Sequence, residues 1–426
     1  VSGKLPGSKG LDGLLITAAL LGANAVSYVF TIVAARILTP AVFGELSALL
    51  ALLVVGVVPA MSLQAAGALR IARAQPGDRR ETSALVGLGL AVSAVVLTFA
   101  LALSPVLVVL LHLDGFWPVL WLAMSLAPLT ALGLFHGLLQ GARRFGALAL
   151  LVGMEAVGKI GGGLVGLLVG GTSTWALAGT AVGSAAVALV GWVLCGRPAA
   201  TRPQRRAGGE VLHAAQAMLA LVLLVNLDLV LARHHLPARQ AGEYAVGAVI
   251  TKVAYWLPQA VGVIVLPKLV HAGARRTALP AALAICAALD AVVVLGAALF
   301  GPTAVGLIGG SAYAGESMPL WQFALVGSFL ALVQLLLFAR IASADRRSTT
   351  AVWVAVAVEV LLISLWLHDS MTQVVTAASI ATGLLVLVGG LIEGRHGQRP
   401  TGANGLKQDA TSAATAASNA PCTSGP

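Results

Sequence analysis

Charge is scarce in this chain. Among its 426 residues only 26 are Lys or Arg and 16 are Asp or Glu, whereas a soluble globular domain carries about 25% charged residues. Too few charges exist to cover a water-exposed surface, which excludes an ordinary soluble fold. Cysteine is also sparse. Cys195, Cys286 and Cys422 lie far apart, with no spacing for a metal site and no framework for disulfides. A hydroxyl is missing where one would matter. The stretch GMEAVGKI (153–160) imitates a phosphate-binding loop, but Ile160 stands where Ser or Thr is required, and its setting is an apolar helix, which excludes nucleotide binding of that type. Large extramembrane loops are lacking as well. The longest on the side with few basic residues, 301–317, holds one acid, Glu316. That leaves no platform for a membrane glycosyltransferase or glycan polymerase, so an enzyme is not expected and no cofactor is implied.

Long apolar runs are what the chain has instead. It is 58% hydrophobic with a mean hydropathy of +0.94, and stretches of about 20 apolar residues read as bilayer spans. Twelve spans are expected, at 13–35, 43–66, 84–110, 118–139, 147–169, 174–195, 211–232, 244–266, 279–300, 318–339, 350–367 and 371–391. The first is long enough to be a span rather than a cleaved leader. The fold class expected is an all-α polytopic membrane protein.

The net charge of +10 does not point to nucleic acid, because the basic residues sit in short loops between spans. With the N-terminus in the cytoplasm, 21 of the 26 basic residues fall on the inside. Arg36, Arg233 and Arg239 fall outside, and Lys159 and Lys252 within spans. Basic loops mark the cytoplasmic face, so both termini are expected there. Heavy use of Ala, Gly, Val and Leu, with an initial Val, fits a bacterial gene and its plasma membrane.

The two halves align. Asn24 matches Asn226, Gly44-Glu45 matches Gly242-Glu243, Pro59 matches Pro258, Arg143-Arg144 matches Arg346-Arg347, and Glu155 matches Glu359. Six spans per half make this a parallel repeat about an axis along the membrane normal. The expected division is an N-terminal six-helix lobe (1–195), a basic cytoplasmic linker (196–210), a C-terminal six-helix lobe (211–392) and a disordered cytoplasmic tail (393–426), related by a pseudo-twofold axis. Two such lobes leave a central cavity, and rocking them gives alternating access.

Four segments carry a likeness to a known family: SYVFTIVAARILTPAVFGELSALLALL (27–53), GLLQGARRFGALALLVGMEAVGKIGGGLVGLLVG (137–170), NLDLVLARHHLPARQAGEYAVGAVITKVAYWLPQAVGVIVLPKL (226–269) and VGLIGGSAYAGESMPLW (305–321). The chain resembles the bacterial polysaccharide (O-antigen and capsule type) flippases of the multidrug/oligosaccharidyl-lipid/polysaccharide exporter superfamily. The resemblance implies a twelve-helix, two-lobed exporter that moves a lipid-linked glycan from the cytoplasmic to the outer leaflet. The fourth segment departs from the family pattern, with Gly309-Gly310-Ser311 where a bulky residue is expected before the glycine.

An ionisable group in the hydrocarbon costs about 2.5–3.5 kcal/mol on insertion scales, so each one needs a reason. Lys252, followed one turn later by Tyr255 and Trp256, suits a sugar-diphosphate headgroup: the ammonium meets phosphate and the rings stack on sugar. Lys159, Asn24 and Asn226 join it as substrate-facing candidates. Glu155 precedes Lys159 by four residues, the order that favours a self-neutralising pair. Asp228, Asp290, Glu359 and Glu155 are candidates to carry a coupling H+ or Na+. Asp228 and Asn226, two apart, face opposite sides of one helix, and Arg233 near its end is expected to snorkel. Gly162, Gly166 and Gly170, spaced by four, suit close helix packing. Arg143-Arg144 and Arg346-Arg347 read first as topology signals. The function expected is a flippase for a polyprenyl-diphosphate glycan, with a cation-coupled multidrug exporter of the same superfamily as the alternative. Membrane lipids, glycosyltransferases and a glycan polymerase are the expected partners.

Overall fold

In the computed structural model, residues 22, 26–75, 78–202, 205–258, 272–313, 318–341 and 347–397 are described. At 205–214, 217, 272–278, 338–341, 347–349 and 392–397 this covers the backbone alone. Asn24, Glu316, most of the expected first span and nearly all of the expected tail lie outside them.

The described residues are helical throughout and contain no strand. We number the helices α1 (Val26–Ile37), α2 (Pro40–Gly56), α3 (Val58–Arg73), α4 (Arg79–Leu110), α5 (Trp117–Gly141), α6 (Phe145–Ala156), α7 (Gly162–Gly170), α8 (Ser173–Leu194), α9 (Arg205–His235), α10 (Ala238–Trp256), α11 (Ala272–Leu299), α12 (Gly301–Gly309), α13 (Leu320–Ile341), α14 (Arg347–Leu365) and α15 (Met371–Gly397). A π-helical turn, Val157–Gly161, joins α6 to α7.

Local chemistry sets the boundaries. Pro40, Pro59, Pro118 and Pro302 sit in first turns, where a missing N–H costs nothing. Asp78 caps α4, its Oδ1 accepting from the amides of Arg80 (2.9 Å) and Glu81 (3.2 Å). Gly171 ends α7 in the left-handed region at φ 62°.

Nine helical segments among the described residues are long and apolar enough to cross a membrane. Nine of the expected spans coincide with them, α2–α3 and α6–α7 each making one. Of the other three, α1 and α14 are shorter apolar helices, and α10 carries Arg239, Glu243 and Lys252 while residues 259–266 lie outside the described set. The protein is therefore a multi-pass membrane protein.

Packing groups the helices. In the first half α5 is central, touching α3, α4 and α8, and α7 lies along α8. In the second half α13 touches α10, α11 and α15, and α14 touches α9 and α15. Gly162 and Gly166 do bring α7 against α8: a Cβ at Gly162 would stand 2.2 Å from the Gly179 carbonyl, and one at Gly166 1.9 Å from that of Trp175. The halves meet where α2 and α3 pack on α9 and α2 packs on α10.

Candidate functional site

Two ends of the bundle can be told apart. At one, called here the basic end, α3 finishes on Arg70 and Arg73, α4 begins on Arg79 and Arg80, and the α5–α6 turn holds Arg143 and Arg144. At the other, the histidine end, α2 and α10 both begin. They cross there so closely that a Cβ on Gly44 would lie 2.7 Å from the Gly242 nitrogen, and one on Gly242 would lie 1.9 Å from the Pro40 carbonyl. Only glycine permits backbone to touch backbone in this way. Past this crossing α10 packs on α2, and α3 packs on α9.

Polar bonds reinforce the seam at the histidine end. Arg233 is buried rather than snorkelling, which corrects the expectation from sequence. Its Nε donates to the Leu111 carbonyl (3.1 Å), its Nη2 to that of His112 (3.5 Å), and Nη2 lies 3.9 Å from Glu45 Oε2. Those carbonyls are the unpaired last acceptors of α4, where a cation is favoured by the helix dipole. Glu45 also accepts from Ser173 Oγ at 2.5 Å. Nδ1 of His234 sits 2.7 Å from the Leu110 carbonyl and so must be the donor. The His234 ring stacks on His112 (5.5 Å) and meets His235 edge-on (4.6 Å), and His235 lies 5.1 Å from His368. Arg36 adds a bond to the Leu307 carbonyl, 2.5 Å. Among the described residues no three His, Cys, Asp or Glu side chains converge as metal ligands.

Tyr313 is fully buried beside this seam, near Glu243 and Arg239. Burial, reinforced by the Glu243 carboxylate, pushes its phenol above the ordinary range, and Arg239 partly offsets this. The departure at Gly309-Gly310 has a steric cause. Gly310 takes φ 70°, and a Cβ on Gly309 would stand 2.4 Å from the Tyr313 ring. A bulky residue has no room there.

About 10 Å inward from the histidine end, counting 1.5 Å per residue, three side chains share a level. Asp228 on α9 is buried and accepts from the Tyr244 hydroxyl of α10 at 2.8 Å. Glu359 on α14 is wholly buried, has no hydrogen-bond partner among the described residues, and feels the charge of Asp228 and the Tyr244 phenol. Lys252, two turns further along α10, is partly exposed and interacts electrostatically with Asp228. Asp228 thus interacts electrostatically with both Lys252 and Glu359 in a low-dielectric interior. Sequence reading did not find Tyr244. Its signal was a lone phenol four turns from Asp228, visible only once α9 and α10 are known to be antiparallel neighbours.

Other candidates stand elsewhere. Asn226 is buried and turned back on its own helix, donating to the Val222 carbonyl at 2.9 Å. Tyr255 is buried and Trp256 is 40% exposed, with their rings edge-on at 5.6 Å. Asp290 on α11 is buried with neither carboxylate oxygen bonded among the described residues, apart from the Asp228 cluster. The expected Glu155–Lys159 pair does not form. Glu155 Oε2 lies 3.5 Å from Nε2 of the buried His136 on α5. The π turn beginning at Val157 adds a residue per turn and carries Lys159 off the i+4 position.

Comparison of the sequence with protein-family models and with curated proteins finds no match. The architecture does match solved structures. An inward-facing multidrug resistance MATE family transporter of the MOP superfamily aligns with a TM-score of 0.66 at 13% identity, over 87% of this chain and 94% of that one. The chain has the fold of a MOP superfamily transporter. The lipid II flippase MurJ, in an inward closed conformation, gives a TM-score of 0.69 at 11% identity, over 88% of this chain and 86% of that one. An outward-facing MATE transporter of the superfamily gives 0.56 at 15% identity, over 94% and 100% of the two chains. These MOP-fold proteins are transporters and a flippase, not enzymes.

Proposed function

We propose that the chain flips a lipid-linked oligosaccharide, a polyprenyl-diphosphate glycan, from the cytoplasmic to the outer leaflet of a bacterial plasma membrane. In this reading twelve crossings form two six-helix lobes, 1–195 and 211–392, joined by the linker 196–210, and both termini face the cytoplasm. The lobes rock about the seam to give alternating access. The observation that carries the proposal is a partly exposed ammonium on α10 with an aromatic pair one turn beyond it. The halves are bonded together at the histidine end, and Lys252 and Trp256, further along α10, are left partly exposed. An anionic headgroup drawn in by the basic end meets an ammonium, and the apolar tail stays in lipid.

The pseudo-twofold axis has its own support. Gly44 and Gly242, paired by the sequence alignment, approach each other at the α2–α10 crossing, as equivalent positions do on a twofold axis. Asp228 and Glu359 supply the coupling site for H+ or Na+, with Tyr244 orienting Asp228.

Reconstitution with a labelled polyprenyl-diphosphate sugar tests the proposal. Leaflet transfer is expected for the wild type and a loss of about tenfold or more for Lys252→Ala, consistent with removal of one charge-assisted contact. Unchanged transfer by a well-inserted Lys252→Ala protein sinks the assignment. A second reading, a cation-coupled multidrug exporter, is favoured by one observation: two carboxylates buried together beside a single ammonium would also suit a cationic drug. Resistance to cationic compounds on overexpression, lost in Asp228→Asn, with no lipid transfer, selects it.

A further inference from the structure

A recess lies away from the seam, wholly within the first half. It encloses about 510 Å³ at the basic end, within the range of small-molecule sites. The ends of α3 (Ile71, Gln75), α4 (Asp78, Thr82) and α5 (Leu138, Leu139) line it, with Arg143, Arg144 and Cys195. None of these elements belongs to the Asp228 cluster.

The charges around it are not equivalent. The Arg144 guanidinium is committed to the Leu194 carbonyl at 2.8 Å. The Asp78 carboxylate caps α4 through one oxygen, Oδ1. Arg143 has no side-chain partner among the described residues, yet it occupies a left-handed backbone at φ 55°. That position closes α5, and glycine is its natural occupant. Arg143 is exposed, so its planar fork is free to meet a phosphate at the edge of the recess it lines. Gln75 and Thr82 also line it; the Thr82 hydroxyl donates to the Asp78 carbonyl at 3.0 Å and keeps its acceptor capacity.

We infer that this recess binds a phosphoryl group carrying a hydroxyl or amine donor: the phosphate lies on Arg143, assisted by Arg144, and the donor reaches Asp78, Gln75 or Thr82. A bare anion fits less well, because Asp78 would repel it. The recess sits where membrane helices end, the level of lipid headgroups, so a glycerophospholipid headgroup and a soluble phosphate ester share the required chemistry. The inference does not depend on the flippase reading, since it concerns binding outside the seam and is measured without transport.

The test is calorimetric titration of the full chain in detergent with dioctanoyl-phosphatidylglycerol and, separately, with glycerol 3-phosphate. Arg143→Gly removes the side chain while suiting the left-handed backbone, so the protein is expected to fold at least as well. Arg197→Gly is the matched control: it lies at the same end, also left-handed (φ 53°) and exposed, but outside the recess lining. Saturable binding is expected, weakened about tenfold by Arg143→Gly, the loss of one charge-assisted contact, and less than about twofold by Arg197→Gly. Binding of the short lipid but not of glycerol 3-phosphate makes the ligand a membrane lipid. Comparable binding of both makes it a soluble ester, and either result supports the site. Equal weakening by the two variants, or no saturable binding of either titrant, overturns it.

Discussion

At the histidine end, the two halves of the molecule meet through committed groups: Arg233 on the carbonyls of Leu111 and His112 and beside Glu45, His234 on Leu110, and backbone on backbone at Gly44 and Gly242. The level just inside holds Glu359, which has no hydrogen bond among the described residues, and Lys252, which is partly exposed and interacts electrostatically with Asp228. Buried charge in the first place holds the halves together. In the second it is left available. A membrane interior tolerates both, but for different reasons: a charge that has found its full complement is structure, and one that has not is a place where something can bind.

That contrast can be broken most forcefully at Arg233. Arg233→Ala takes the guanidinium from Glu45 and frees the two carbonyls of Leu111 and His112, and breaking a buried pair from one side costs about 3–5 kcal/mol. Spin labels at exposed Asp114 and Asp369, one on each half, should report a population at longer distance, with wild type confined to the short one. Gly242→Ala should act in the same direction by about 1–3 kcal/mol, the usual cost of overpacking, because the new methyl meets the Pro40 backbone rather than a yielding side chain. If neither variant lengthens the distance, the histidine end is not what holds the halves.

Glu359→Gln sharpens the comparison from the other side. It removes a buried carboxylate that bonds to nothing among the described residues, so the thermal midpoint should be unchanged or higher, by up to about 1 kcal/mol, while ion-driven transport falls. A large drop in stability would show that Glu359 belongs with Arg233 as a structural charge. The smallest effect concerns Cys195. Burial pushes its thiol up to about 11, partly countered by Arg144. The reactive thiolate is therefore rare at neutral pH. With Cys286 and Cys422 replaced by serine, maleimide labelling should be slow at pH 7.5 and accelerate about tenfold per pH unit until it approaches 11.

The fold was legible because apolar runs of membrane length admit one local answer, a helix. The spacing of Gly162 and Gly166 marked a close helix contact, which α7 makes with α8. The site was legible only in part. Asp228, Glu359 and Lys252 stood out as costly residues, but Tyr244 and His136 did not, since a phenol or imidazole in an apolar run carries little penalty to flag it. Glu155 and Lys159 were misjudged because sequence spacing assumes a regular helix, and no residue type announces a π turn. Arg233 was misjudged because its partners are backbone carbonyls 122 residues away in sequence, which have no signature at all.

The π turn at Val157–Gly161 has a consequence for how the first half behaves as a machine part. One surplus residue offsets everything beyond it by about 100° from a regular helix. Glu155, before the offset, is aimed at His136, and Gly162 and Gly166, after it, are aimed at α8. Were the surplus to slip along the chain, only one of those two alignments would survive. The glycine contacts therefore act as a detent that keeps an acid and an imidazole in register from a turn away, and a bulky side chain at Gly162 would be felt first at Glu155.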